Sequence, residues 1–159
     1  MTTDILEAID RAIDAETKAS AFYADAAGRT KDPGGAAMFR ELSEFEAHHR
    51  ERLTALRASL QGEGKWIVYE GRDLSKTPPS EAGGRPAPGD SADALEALRL
   101  AIAGEEKAQA EYRALSEASG NEAGRAMFRR LADEEGMHRK LLDEQYLALA
   151  NKGVWFWND

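Results

Sequence analysis

Two segments of the sequence place an acid and an imidazole three residues apart: Glu46 and His49 in EFEAHHRERL, and Glu135 and His138 in DEEGMHRKLL. On a helix, residues at this spacing lie about 60° apart around the axis and ~4.5 Å along it, so each pair can reach one point in space. Two further acids, Glu16 and Glu105, are each flanked at helical spacing by an isoleucine (Ile13, Ile102) and a tyrosine (Tyr23, Tyr112). All six side chains are therefore expected to face inward. Four ionised carboxylates in an apolar interior would cost many kcal/mol through desolvation and mutual repulsion. No Lys or Arg shares these positions. Two divalent cations would cancel the four charges and take the two neutral imidazoles as further ligands.

The elements that must position these groups follow from an internal repeat. Residues 4–53 set against 93–142, with no gap, agree at about 21 of 50 positions. Paired residues include Glu16 with Glu105, Tyr23 with Tyr112, Phe39 with Phe128 and His49 with His138, and the register persists to Gly64 and Trp66 against Gly153 and Trp155. Such a duplication governs any reading of the fold. Each half reads as a helical hairpin. Ile9, Ile13, Glu16, Ser20, Tyr23 and Ala27 step by three and four, as do Leu42, Glu46, His49, Leu53, Leu56 and Leu60, which marks two core-facing seams. Asp32 before Pro33 reads as a helix N-cap with proline in the first turn. The second half copies the plan with Leu98, Ile102, Glu105, Gln109 and Tyr112, a break at SGNE, and then Leu131, Glu135, His138 and Leu142. Four of the five prolines fall between the halves, so the intervening segment cannot be helical for long. The expected organisation is one domain over 1–159, with a first hairpin over 3–60, a crossover linker over 61–91, a second hairpin over 92–150 and an aromatic tail over 151–159. The expected fold is all-α, a four-helix bundle with one long crossover between its second and third helices. Two hairpins exchanged between chains of a dimer would use the same seams.

One Glu from each of two helices plus a Glu-x-x-His from each of the other two is the ligand pattern of di-iron and di-manganese carboxylate bundles. With the duplication, these residues resemble the rubrerythrin-type branch of the ferritin-like superfamily, in the form that lacks a rubredoxin module. EAIDRAIDAETKASAFYADAA and MFRELSEFEAHHRERL look like that family's first and second helices, including the tyrosine seven residues after the first Glu. The resemblance implies that Glu16 and Glu105 are terminal ligands, that Glu46 and Glu135 bridge two metals, and that His49 and His138 each cap one. It also favours iron, whereas mixed Glu and His ligation by itself suits either iron or manganese. The implied activity is that of a non-haem di-iron oxidoreductase reducing hydrogen peroxide or oxygen. Iron storage through a ferroxidase centre and hydroxylation of an organic substrate are the alternative readings. Two departures stand out. The chain has no cysteine for a rubredoxin-type iron site, so electrons are expected from a separate donor protein, and Ala108 stands where the family has an additional Glu belonging to its peroxide-reducing site.

Other features are read more plainly. Tyr23 and Tyr112 are expected to donate hydrogen bonds that orient carboxylates. His48, about 100° from His49, is assigned to the surface or an interface. Gly104 and Gly136, beside ligand positions, are expected to permit close helix approach. The acids around the site, Glu106, Asp133 and Glu134 among them, are read mostly as solvated faces. GVWFWND, in register with GKWIVY, is expected to fold back on the bundle or to form a contact in a homodimer. The net charge of −8 disfavours nucleic acid and anionic membrane, and no stretch approaches the ~20 apolar residues of a membrane span. With neither cysteine nor a basic, apolar leader at the amino terminus, the expected location is the cytoplasm.

Overall fold

The computed structural model describes residues 2–74, 85–86 and 91–157. Four long helices account for nearly all of them: α1 (Thr2–Arg29), α2 (Pro33–Glu63), α3 (Ser91–Ala118) and α4 (Glu122–Lys152). They form a ferritin-like four-helix bundle in which α1 pairs with α2 and α3 with α4. The helices run slightly past the expected hairpin limits because glycine sets their ends. Gly64 and Gly153 adopt left-handed conformations at φ 68° and 65°, and their N–H groups return to carbonyls of the last turn. That conformation is open to glycine at little cost, so the two repeats stop at equivalent points. At the other end, Asp32 and Asn121 accept hydrogen bonds from the N–H groups of Gly35 and Gly124. Each such cap stabilises its helix by about 1 kcal/mol.

The seams read from the sequence are the buried faces. Ile9, Leu42, Leu53, Leu56, Leu98, Leu131 and Leu142 are fully buried. Two apolar clusters result, one around Phe39, Leu98 and Leu142 and the other around Leu53, Leu131 and Phe128. The six polar site residues belong to neither.

The segment 64–74, which follows α2, carries no strand. Instead its side chains anchor the crossover along α4. Trp66 lies over Gly124, where a Cβ would come within 2.8 Å of its ring, and Gly71, at φ 86°, presses against Arg130 and Glu134 farther along. Residues 75–84 and 87–90 of the expected linker lie outside the described residues. A two-residue β1 (Arg85–Pro86) pairs antiparallel with β2 (Val154–Trp155), a contact that no sequence signal announced.

The tail folds back on the bundle: Trp155, Phe156 and Trp157 are all buried. Gln145 fixes it by donating to the Val154 carbonyl and accepting from the Phe156 N–H. Trp155 lies over Gly35 as Trp66 lies over Gly124, with a hypothetical Cβ 2.9 Å from the ring. Each hairpin thus closes the N-terminal end of the other's second helix with a repeat-related tryptophan.

Candidate metal centre

Glu16 on α1, Glu46 and His49 on α2, Glu105 on α3, and Glu135 and His138 on α4 are all at most 3% exposed. Their donor atoms fall into two overlapping sets, each within 4.8 Å: Glu16, Glu46, His49 and Glu135, and Glu46, Glu105, Glu135 and His138. All six residues singled out by spacing are therefore brought together. Glu46 and Glu135 belong to both sets, whereas Glu16 with His49 and Glu105 with His138 belong to one each. The helical periods at the middle of four long helices produce this arrangement, and the repeat makes it nearly twofold symmetric.

Both imidazoles direct Nδ1 toward the carboxylates. His49 Nδ1 is 2.9 Å from Glu135 and 3.3 Å from Glu16, and His138 Nδ1 is 2.9 Å from Glu46 and 3.5 Å from Glu105. Despite these short distances, His49 Nδ1 and one oxygen on each of Glu16, Glu46, Glu105 and Glu135 lack a properly directed hydrogen bond among the described residues. Buried polar atoms are ordinarily satisfied. Five orphaned donor atoms, anionic oxygens and an imidazole nitrogen, form a hard, mixed O/N set suited to divalent iron or manganese. The residues fit a dinuclear metal group.

The tyrosines act across the bundle. Tyr23 donates to Glu105 at 2.6 Å and Tyr112 to Glu16 at 2.9 Å, so each hairpin orients the other's lone glutamate. Burial and then the neighbouring carboxylates push both phenols well above their ordinary pKa, which keeps the protons on the tyrosines.

Without a cation, the cluster takes protons. Burial, followed by the charge of Glu46, raises Glu16 well above the usual carboxylate range. Burial and then the charges of Glu105, Glu46 and Glu16 raise Glu135 likewise. Burial also works against ionising Glu46, but the close approach of Glu16, His138 and His49 outweighs it and holds this carboxyl low. Both histidines overcome the burial that would neutralise them. Contacts with Glu134, Glu135, Glu16 and Glu46 raise His49 well above its ordinary value, and Glu105 and Glu46 raise His138 to about 9. Four carboxylates and two imidazoliums carry a formal charge of −2, and protons at Glu16 and Glu135 remove it. Two divalent ions with neutral imidazoles achieve the same neutrality.

One residue was misread at the sequence level. Glu134, assigned to a solvated acidic face, is 0% exposed. It accepts from Tyr69 at 2.5 Å, from the Arg72 N–H at 2.9 Å and from Arg130 at 2.6 Å, and it meets His49 Nε2 at 2.8 Å. The signal was present in the repeat: position 134 falls on Phe45, a core residue, so its side chain had to face inward. His48 is half-buried with its ring 6.1 Å from Tyr69, outside both donor sets.

The glycines divide. A Cβ at Gly136 would strike the Gln109 amide, in line with close helix approach, whereas Gly104 faces open space. That space is a cleft of about 920 Å³ between α1 and α3, reaching from Phe22, Leu100, Ala101 and Ala108 at its sides to Glu16, Glu46, Glu105 and Glu135 at its floor. It joins the carboxylates to the surface.

Comparison with known proteins identifies a family for the chain. The family model described as Rubrerythrin matches residues 1–79 and 96–152. A solved structure of a hypothetical protein from Pyrococcus furiosus is similar with a TM-score of 0.71 and 26% identity, covering 91% of this chain and 90% of that one. Among curated proteins there is no match. No helix among the described residues is long and apolar enough to cross a membrane.

Proposed function

The chain belongs to the rubrerythrin family, and from that premise we propose that it is a non-haem di-iron oxidoreductase that reduces hydrogen peroxide or oxygen. The observation that carries the reading is the pair of donor sets sharing Glu46 and Glu135. Two carboxylates common to both sets suit a pair of ions held side by side, with Glu16 and His49 completing one position and Glu105 and His138 the other. Bound there, two irons cycling between ferrous and ferric states would supply two electrons to one oxidant without releasing a radical. The chain contributes position, dryness and proton control. Tyr23 and Tyr112 hold Glu105 and Glu16 in place. The cleft between α1 and α3 gives a small oxidant a route to the carboxylates. With no cysteine in the chain, electrons would come from a separate donor protein.

Metal analysis of protein purified without added metal, followed by anaerobic reduction and rapid mixing, tests the proposal. It expects two irons per chain, oxidised stoichiometrically and much faster by peroxide than by oxygen. Equal or faster reaction with oxygen would remove the peroxidase reading, and a stable bundle that takes up no iron would remove the whole proposal.

A second reading, hydroxylation of an organic substrate, is favoured by the cleft itself. Its volume of about 920 Å³ far exceeds what peroxide or oxygen needs, and its sides at Leu100, Ala101, Ala108 and Phe22 are apolar. Ala108 stands where the family's additional Glu would fill space and add charge. This reading expects small apolar compounds to bind and to be blocked by Ala108→Trp without loss of metal. Failure of any apolar compound to bind the iron-loaded protein would sink it.

A further inference from the structure

The duplication allows one half of the molecule to serve as a control for the other. His49 and His138 occupy equivalent positions, both present Nδ1 to the shared carboxylates, and their nearly parallel rings have centroids 6.2 Å apart. Their outer nitrogens differ. His49 Nε2 meets Glu134 at 2.8 Å. His138 Nε2 is buried with no hydrogen-bond partner among the described residues. The repeat counterpart of Glu134 is Phe45, whose ring stands perpendicular to His138 with centroids 4.3 Å apart. The same ring stands edge-on to His49 at 5.2 Å, so both imidazoles meet Phe45, and among the described residues His49 alone has an anion at its outer nitrogen.

The chemical consequence follows from the tautomer. A carboxylate at Nε2 accepts its proton, which leaves the Nδ1 lone pair directed at the cluster and makes that nitrogen a stronger donor. An aromatic ring restrains the imidazole sterically but does neither. Glu134 is itself firmly set: Tyr69, Arg72 and Arg130 donate to it, and Arg130 is tied to Asp73 at 2.9 Å. Tyr69, Arg72 and Asp73 all lie in the crossover.

Resting on the dinuclear reading above, we propose that Glu134 is a positioning residue that makes the two metal positions unequal. The position served by Glu16 and His49 fills first and holds its ion more tightly, and the one served by Glu105 and His138 is the exchangeable position. Loss of such an outer partner typically weakens metal affinity 10–100-fold. Repulsion between the ions lowers the second affinity whichever position fills first, so the order of filling, rather than the ratio of stepwise constants, reports the asymmetry.

The chain has three histidines, which makes that order observable. In the full chain labelled with ¹⁵N-histidine, zinc titrated into metal-free protein should shift the His49 ring signals over the first equivalent and those of His138 over the second. Glu134→Gln keeps the shape and is expected to lower affinity for the first ion 10–100-fold and to abolish the order. Tyr69→Phe, which removes one donor to Glu134 and keeps the ring beside His49, should shift the order in the same direction by less. Parallel movement of both rings in the unaltered protein, or His138 moving first, would overturn the asymmetry while leaving the metal centre standing. An unchanged order in Glu134→Gln would overturn the role of Glu134. No zinc response at either ring would remove the metal centre and this proposal with it.

Discussion

Replacing Glu135 with Gln should change the protein's stability in opposite directions with and without metal. Glu135 is 1% exposed and lies among Glu16, Glu46 and Glu105, and burial together with their charges raises its pKa well above 4.5. In metal-free protein at pH 7 it must ionise in a dry, negative site or take a proton. The second route limits the penalty: protonating an acid of pKa 4.5 at pH 7 costs 1.36 × 2.5, or about 3 kcal/mol. Glutamine has the same shape and carries neither cost. It also disturbs the contact of 2.9 Å between the Glu135 carboxyl and His49 Nδ1, which offsets about 1 kcal/mol or more. The net expectation is a gain of about 1–2 kcal/mol, or roughly 2–8 °C in a chain of this size. With metal the sign reverses. Glu135 belongs to both donor sets, so the amide weakens both positions and removes the stabilisation of about 2.7 kcal/mol per site that an ion at a hundredfold its Kd provides. Thermal melts in chelator and in excess ferrous or zinc ion should therefore cross. A variant less stable than the parent in chelator would refute the electrostatic account, and one that still binds two ions tightly would refute the sharing of Glu135.

Further outcomes follow from the same geometry. Loading divalent ions at pH 7 should release protons, that of His138 among them because its value of about 9 keeps it charged there; calorimetry in buffers of different ionisation enthalpy measures the release, and none would contradict the charge balance. The metal-free protein should lose stability with rising pH, because His138 binds its proton in the folded state up to about 9 but only to its ordinary 6.5 when unfolded. Its contribution is complete below pH 6.5 and gone above 9, so melting temperatures in chelator should fall across that window, and a flat profile would argue against a charged imidazole there. Gly124→Ala and Gly35→Ala each place a Cβ within 3.0 Å of a buried or half-buried tryptophan ring. Overpacking of this kind costs about 1–3 kcal/mol, and denaturant titrations showing no loss would mean that the tryptophans move aside freely.

The repeat carried most of the site into view from the sequence. A single Glu-x-x-His is common on helices, but two in register, each with a seam glutamate at the same offset on the preceding helix, specify a set of inward-facing donors. The periodicity of the seams likewise determines which helix faces are buried. The burial of Glu134 was legible from its repeat mate Phe45, but its role was not: its partners Tyr69 and Arg72 come from the crossover, where neither period nor repeat places a side chain. The β1–β2 pairing was hidden because two-residue strands in a proline-rich segment carry no alternation to detect. The cleft is a matter of helix separation along α1 and α3, set by small residues such as Ala15, Gly104 and Ala108 whose joint effect appears only in three dimensions.

The contacts that set the centre in order run between hairpins. Tyr23 of the first holds Glu105 of the second, Tyr112 holds Glu16, His138 meets Glu46, and His49 meets Glu134 and Glu135. The tryptophan lids cross in the same way, Trp66 onto Gly124 and Trp155 onto Gly35. A hairpin alone would bury two carboxylates and an imidazole with half of their partners missing, a state that desolvation makes costly. The duplicated halves are thus bound to each other by their charges as well as by their apolar seams. This mutual completion also explains why the repeats could diverge at Phe45 and Glu134 while keeping all six donors. The inner positions are each needed by both halves, whereas an outer position answers only to the segment that happens to cover it, and the crossover covers one side.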